Sequence, residues 1–413
     1  MTFAQAQKRE TMAPEQLHLG VALDGAGWHP AAWREPNSRP TELFSAGYWT
    51  DLVTTAQRGL LDFVSIEDSL AIPGDRHAPA DDAVDRVRAR IDANLIAARV
   101  APVTQHIGLI PTVTTTHTEP FHVSKAIATL DYTSRGRAGW QVRVSATPGE
   151  AAHFGRRELR DITAAELAEA VASGTFPSEV HDLFDEAADA VEVVRRLWDS
   201  WEDEAEIRDA ATRRFIDRDK LHYIDFQGRF FSVRGPSITP RPPQGQPVVA
   251  ALAHGPLIYE FAARGADLVF STPTHAAGPT PVVERVRAAA ARVDRGGEPL
   301  RVYADIVVFL DTDDATGPQR LARLNAAAEF TSDAAIFAGS ADELTELLIE
   351  WSGHGIDGFR LRPGVAVDDL AAIADRLVPA LQRRGLFRTG YPDGSLRALL
   401  GLPTDVPNRY ATA

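Results

Sequence analysis

Residues 106–142, HIGLIPTVTTTHTEPFHVSKAIATLDYTSRGRAGWQV, carry a strand pattern, a helix pattern and a second strand pattern in direct succession. The apolar run Gln105–Ile110 predicts a buried strand, and Ala138–Val144 predicts another. Between them, Phe121–Ser134 repeats apolar residues at helical spacing. Because a helix that joins two successive strands is typical of a parallel crossover, this segment predicts a parallel β-α-β unit.

The same alternation continues on both sides of this segment. Short apolar runs predict eight strands: Leu17–Leu23, Leu61–Ile66, Gln105–Ile110, Ala138–Val144, Pro247–Leu252, Ala266–Ser271, Val302–Phe309 and Gly358–Arg362. Amphipathic runs predict the helices: Tyr48–Gly59, Asp85–Val100, Phe121–Ser134, Asp182–Trp201, Leu257–Gly265, Pro281–Asp294, Pro318–Ala328, Ala341–Gly353 and Val367–Arg384. Eight strands that alternate with helices favour an α/β fold of the closed (β/α)8 TIM-barrel type, with an open doubly wound sheet as the alternative.

Two segments interrupt the alternation of strands and helices. We expect insertions at about residues 156–178 and 202–246 of a barrel that spans residues 17–387. Long irregular segments of this kind are typical of lids or oligomer contacts. Residues 1–16 are predicted to form a disordered extension, and residues 388–413 a tail of irregular chain packed on the barrel.

The composition narrows the classes of partner. The 413 residues include 43 basic and 57 acidic side chains, a net charge of −14, which disfavours nucleic acid and anionic membranes as ligands. There is no cysteine, so disulfides and thiolate metal sites are excluded. His117 and His122 are five positions apart, which does not suit a metal pair on one helix face, and no metal site is predicted. We therefore expect a soluble, cytoplasmic protein whose partner is a small molecule or another protein.

In a barrel of this type, functional residues follow the carboxyl ends of the strands. Asp68 lies two residues after the end of the second strand and is equally consistent with a ligand-binding carboxylate and with a helix N-cap. The threonines of residues 112–116 follow the third strand. They reflect either the β-propensity of threonine or a set of rim hydroxyls that bind the carbonyl or nitrogen atoms of a ligand ring. Further aromatic and imidazole side chains are candidates for the substrate lining: Trp28, His29, Trp33, His117 and Phe231.

Several segments resemble the bacterial luciferase-like flavin monooxygenases. They are residues 62–72 (DFVSIEDSLAI), 106–142, 153–155 (HFG), 190–205 (AVEVVRRLWDSWEDEA) and 226–249 (FQGRFFSVRGPSITPRPPQGQPVV). The resemblance extends from about Leu17 to about Phe387. It is strongest to the branch that contains the nitrilotriacetate, EDTA, long-chain alkane and dibenzothiophene-sulfone monooxygenases.

This resemblance implies a TIM barrel with FMN at its carboxyl-terminal rim. It also implies that a separate flavin reductase supplies the reduced FMN, that O2 oxygenates a small organic substrate, and that the protein forms a homo-oligomer, either a dimer or a tetramer. By resemblance, Asp68 and Thr114 contact the flavin, and Ser145 is the polar residue at the end of the fourth strand.

The chain departs from the family pattern where the flavin phosphate is expected. Phe184 replaces a tyrosine, and Gly255 and Ile258 stand where the family has a serine and a glycine. His181 and His254 are nearby candidates to meet the phosphate instead. Three hypotheses follow: a two-component FMN monooxygenase with an altered phosphate site, an oxidoreductase that uses a deazaflavin, and a non-catalytic homologue that has lost its flavin.

Overall fold

The computed structural model describes residues 16–74 and 83–411. Its centre is a closed barrel of parallel strands, in which the first strand pairs with the last through His18 and Gly358. The barrel strands are β1 (His18–Leu23), β2 (Phe63–Ile66), β3 (Gly108–Thr114), β4 (Gly139–Arg143), β5 (Val248–Ala253), β6 (Leu268–Ser271), β7 (Arg301–Leu310) and β8 (Gly358–Pro363). All eight predicted strands and the closed (β/α)8 barrel are confirmed, and the open sheet is wrong.

Helices flank the barrel on its outer face and at its two ends. They are α1 (Ala46–Arg58), α2 (Ala93–Val100), α3 (Pro120–Ser134), α4 (Pro148–Ala152), α5 (Ala164–Ser173), α6 (Ser178–Asp199), α7 (Pro256–Gly265), α8 (Thr280–Ala290), α9 (Gly317–Ala327), α10 (Ala341–Ser352), α11 (Ala366–Ala372), α12 (Val378–Arg383) and α13 (Leu396–Leu399), with a π-helical turn over Ile373–Leu377. None of the helices within the described ranges is long and apolar enough to cross a membrane.

The helix predicted over Asp85–Val100 is too long at its start. The side chain of Asp92 accepts a hydrogen bond from the backbone N–H of Leu95 and caps α2, which begins only at Ala93. The residues before Asp92 are not helical, and Arg90 from this segment reaches back to the carboxylate of Asp24. The tertiary ion pair therefore outweighs the local helical pattern.

One strand, Ala335–Gly339, escapes prediction. It pairs with residues 306–310 of β7, above the point where β6 pairs with residues 301–304 of the same strand. Because β7 has ten residues and β6 only four, the upper half of β7 needs another partner, and Ala335–Gly339 supplies it.

The amino-terminal half of the barrel interior is filled by apolar and aromatic side chains, including Phe63, Ile110 and Phe270. The carboxyl-terminal tail closes this end, because its leucines (Leu396, Leu400 and Leu402) belong to the same buried cluster. Any ligand of the barrel therefore has to enter from the carboxyl end of the strands.

The two insertion segments take different positions. The first contains α5 and supplies Ile162 and Phe176 to a cavity at the carboxyl end of the barrel. The second forms two short hairpins, Glu206–Asp209 with Arg214–Ile216 and Phe226–Gln227 with Ser232–Val233, and a cis peptide bond precedes Pro236. None of its side chains lines that cavity.

Candidate active site

A cavity of about 550 Å³, here called the mouth cavity, opens at the carboxyl end of the strands. This volume falls within the range of about 300–1,000 Å³ typical of small-molecule sites. Its polar wall consists of strand-end and rim side chains: Asp24, Glu67, Asp68, Arg90, Gln141, Arg143, Asp333 and Arg362. Its apolar wall comes from the first insertion, α6, α7 and the end of β5: Ile162, Phe176, Val180, Leu183, Phe184, Leu252, Ile258 and Phe261.

A buried charge network lies beneath the polar wall. Arg360 and Arg362 are two residues apart on β8, and both side chains therefore point into the barrel. Asp305 on β7 accepts hydrogen bonds from the Nε atoms of both guanidiniums, at 2.8 and 2.9 Å. Arg360 also donates to Glu67 Oε1 at 3.0 Å and to Gln141 Oε1 at 2.6 Å. The network joins β2, β4, β7 and β8 across the barrel interior.

The upper end of this network reaches the cavity through Asp333. Arg362 donates to Asp333 Oδ1 at 2.7 Å, and His254 Nδ1 lies 3.5 Å from Asp333 Oδ2. Burial by itself would raise the pKa of Asp333, but the charge and hydrogen bond of Arg362, with a smaller contribution from His254, lower it to about 2. Burial lowers the pKa of His254.

Asp68 combines the two roles that its position suggested. Its carboxylate lines the mouth cavity and accepts hydrogen bonds from the backbone N–H groups of Ser69 at 2.7 Å and Ala93 at 2.9 Å. Ala93 is the first residue of α2, so Asp68 also stabilises the start of that helix. Burial raises the pKa of Asp68, and the two backbone hydrogen bonds act in the opposite direction.

A second cavity of about 230 Å³ shares Asp24, Trp28, Glu67 and Arg90 with the mouth cavity. Arg90 Nη2 donates to both carboxylate oxygens of Asp24, at 2.7 and 2.8 Å. The ring centroid of Trp28 lies 4.3 Å from the guanidinium carbon of Arg362. The Asp24–Arg90 ion pair and the Trp28 ring therefore lie between the two cavities.

The remaining substrate-lining candidates lie in different surroundings. Trp33 lines the second cavity, as does His29, which is almost fully buried. The Nδ1 atom of His29 accepts from the N–H of Ala31, so its Nε2 carries the proton and donates to Asn325 Oδ1.

Two of these candidates do not line either cavity. His117 is buried and stacks on Phe154 with 5.1 Å between ring centroids, and its Nε2 has no hydrogen-bond partner within residues 16–74 and 83–411. Phe231 lies in the second insertion and packs against the cluster of Val193, Leu197 and Ile224. The structure therefore brings Trp28, but neither His117 nor Phe231, to the mouth cavity.

Thr114 and Ser145 lie just behind the polar wall. Arg143, which lines the cavity, donates from Nη1 to Thr114 Oγ1 at 3.0 Å and forms a two-bonded ion pair with the buried Glu150, at 2.8 Å for each bond. Ser145 is also buried, and its hydroxyl accepts a long hydrogen bond of 3.4 Å from the N–H of Thr147. Both residues therefore hold the loop after β4 rather than facing the cavity.

The residues predicted to meet a flavin phosphate surround the start of α7. Gly255 precedes the helix without any side-chain cap, and Ile258 from its first turn lines the cavity. Phe184 packs against Phe261 with ring centroids 5.7 Å apart. His181 is exposed and reaches only the edge of the Phe176 ring.

Sequence reasoning missed the arginines and Asp305. The signal is present in the strand patterns, because GFRLR places two arginines on one face of a predicted buried strand and VYADIVVF places an aspartate inside an apolar run. Buried charges of this kind need partners, and partners are found only across the barrel. The sequence signal therefore indicates an interior ion pair without identifying the residues that form it.

Comparisons with known proteins agree with this architecture. A sequence model described as luciferase-like monooxygenase matches residues 27–358. N-acetyl-S-(2-succino)cysteine monooxygenase of Bacillus subtilis (strain 168) is 30% identical, over 97% of this chain and 100% of that protein. Nitrilotriacetate monooxygenase component A of Aminobacter aminovorans is 30% identical, over 94% and 97%. The solved EDTA monooxygenase from Chelativorans sp. BNC1 superposes with a TM-score of 0.77 at 22% identity, over 94% and 99%.

Proposed function

The chain belongs to the luciferase-like monooxygenase family, and we propose that it oxygenates a small organic molecule with O2 and reduced FMN. The observation that carries this proposal is the mouth cavity, which has one polar and one apolar wall at the open end of the barrel. Such a combination suits a flat ring system that has one polar edge and apolar faces. When bound, a reduced flavin supplies the electrons that activate O2.

The residues around the cavity fit the ring of a flavin. Asp68 offers carboxylate oxygens to ring N–H groups, and the apolar wall offers a surface from which water is excluded. Arg143 is held by Glu150, and Thr114 accepts from Arg143, so their positions are set before a ligand arrives. We assign Asp68 to direct contact with the flavin and Thr114 to positioning Arg143.

The reduced flavin comes, in this proposal, from a separate reductase. The relative in Aminobacter aminovorans is named as component A, which supports a system with more than one component. A homo-oligomer and a cytoplasmic location are further parts of the proposal. The substrate is a small organic molecule that reaches the flavin through the open end of the barrel.

An anaerobic titration tests the proposal. Purified protein is titrated with FMN and with FMNH2 under argon, and flavin absorbance and fluorescence are followed. We expect reduced FMN to bind in the micromolar range. If neither form binds at millimolar concentrations, the chain is a non-catalytic homologue. If a deazaflavin alone binds, the chain is a deazaflavin-dependent oxidoreductase.

A further inference from the structure

Among the residues that the structure describes, the side of the mouth cavity around the start of α7 lacks the chemistry that holds a phosphate group. We propose that the cavity recognises a flavin through its ring and ribityl chain alone, and does not distinguish FMN from riboflavin. This inference rests on the flavin-binding function proposed above. It concerns the charges that line the cavity, the start of α7 and the side chains that cover it.

The arginines that line the cavity are already paired. Arg90 is bound by both oxygens of Asp24, and Arg143 is bound by both oxygens of Glu150. Arg362 donates to two carboxylates, Asp305 and Asp333. A phosphate could recruit one of these cations only by leaving a carboxylate without its partner, which is costly in a partly buried site. Several carboxylates also line the cavity and repel an anion: Asp24, Glu67, Asp68, Asp161 and Asp333.

The start of α7 offers few donors. Gly255 has no side chain, Pro256 has no N–H, and the N–H groups of Ile258 and Tyr259 donate to the carbonyl of Gly255 at 3.1 and 3.0 Å. The Nδ1 atom of the adjacent His254 is engaged by Thr272 Oγ1 at 3.1 Å and lies 3.5 Å from the Asp333 carboxylate, which itself repels an anion. The positive end of the helix dipole therefore lacks the side-chain donors that usually complete an anion site.

Apolar side chains cover the same region. Phe176 is the centre of a small cluster with Val180, against which Leu257 and Phe184 pack. Phe176 also lies closest to Gly255, with its ring 3.7 Å from the position that a Cβ atom would take there. A phosphate placed here would exchange its hydrating water molecules for contacts with aromatic rings, which form no compensating hydrogen bonds.

These observations predict the affinities of two cofactors that differ only in the phosphate. Each hydrogen bond to a charged group is worth about tenfold in affinity or more, so a site that recognises the phosphate prefers FMN by about a hundredfold. Here we expect the dissociation constants of FMN and riboflavin to agree within about threefold, because no such hydrogen bond is formed.

The experiment is a pair of titrations with a variant that restores a donor. The full chain is titrated anaerobically with reduced FMN and reduced riboflavin, and binding is followed by flavin and tryptophan fluorescence. Gly255 is extended (φ −164°), and a Cβ there meets nothing closer than 3.7 Å, so a serine fits. We expect Gly255→Ser to increase FMN affinity about tenfold and to leave riboflavin affinity unchanged. Gly255→Ala, which adds the Cβ without the hydroxyl, is the matched control and leaves both affinities unchanged.

The outcomes separate this inference from the proposed function. Equal affinities in the wild type and an FMN-specific gain in Gly255→Ser support the inference. A wild-type preference for FMN of more than tenfold overturns it and leaves the proposed function intact. Absence of binding by both flavins overturns the inference and the proposed function together.

Discussion

The polar and apolar walls of the mouth cavity differ in how their side chains are held. Side chains of the polar wall come mostly from strand ends and are cross-linked by ion pairs, such as Asp24 with Arg90 and Asp333 with Arg362. Side chains of the apolar wall, such as Phe176 and Phe184, come from the first insertion and from α6 and pack without hydrogen bonds. The barrel itself therefore sets the polar end of the site, whereas the segments that connect its strands set the apolar end.

The largest expected effect comes from breaking the network under the polar wall. Asp305→Ala removes the fully buried carboxylate that holds Arg360 and Arg362. We expect the free energy of unfolding to fall by about 3–5 kcal/mol, because two buried guanidiniums lose the buried carboxylate that they share. Urea unfolding followed by circular dichroism measures the change. Asp313→Ala, whose side chain is 95% exposed, serves as control and should cost less than about 1 kcal/mol. Equal effects of both variants would contradict the network's role.

The apolar wall is tested by Phe176→Ala. Phe176 is 7% exposed and forms the centre of its cluster, so its loss leaves a cavity next to Gly255. We expect destabilisation of about 3 kcal/mol. The measurement is the midpoint of urea unfolding, with Phe215→Ala at a 65% exposed position as the control. If Phe176→Ala lowers the free energy of unfolding no more than Phe215→Ala does, the apolar wall is not a packed unit.

A smaller effect is expected at the rim, where Asp68 accepts two backbone hydrogen bonds. Asp68→Asn replaces one acceptor oxygen with an amide that cannot accept, so we expect a loss of about 1–2 kcal/mol in stability. Reduced FMN should bind about tenfold more weakly, which corresponds to about 1.4 kcal/mol. Titration with reduced FMN measures this loss. Asp51→Asn, which changes an exposed carboxylate that does not line the cavity, is titrated in the same way as the control. Unchanged flavin affinity would refute the assignment of Asp68 to the flavin site.

The smallest effect concerns pH. The pKa of Asp333 is lowered to about 2 in the folded chain, so its ionised form stabilises the fold above the ordinary pKa of about 4. This contribution is lost as the pH falls from about 4 towards 2. Because the side chain is 45% exposed, we expect Asp333→Asn to cost less than about 1 kcal/mol at pH 7. Urea midpoints at pH 7, 5 and 3 should show a difference from wild type that is constant at the two higher values and narrows at pH 3. A difference that widens at pH 3 would contradict the ion pair.

Much of the barrel could be predicted because its signals are local. The apolar runs and the helical spacing of residues 106–142 act over a few residues, and all eight barrel strands were found by the same kind of pattern. The strand Ala335–Gly339 was missed because its formation depends on the unpaired upper half of β7. The start of α2 was misplaced because Arg90 is held by Asp24, which lies far away in sequence.

The candidate site could be predicted only in part, for the same reason. Asp68 was found from its place after a strand, and Trp28, Phe184, His254 and Ile258 also reach the cavity. Thr114, at the end of β3, and Ser145, after β4, lie next to the cavity, but their contacts with Arg143 and Thr147 turn them away from it. Which of several neighbouring side chains faces a cavity depends on contacts that no local pattern contains.

By itself, the sequence determined the barrel, the open end at which a site must lie, and the absence of a serine before α7, because these follow from residue type and short-range periodicity. Only the tertiary structure decided that Asp305 holds Arg360 and Arg362, and that Phe176 covers Gly255. Such partners are distant in the chain and meet only when the barrel closes. The chemistry of the cavity around the start of α7 is therefore a property of the fold and not of any one segment.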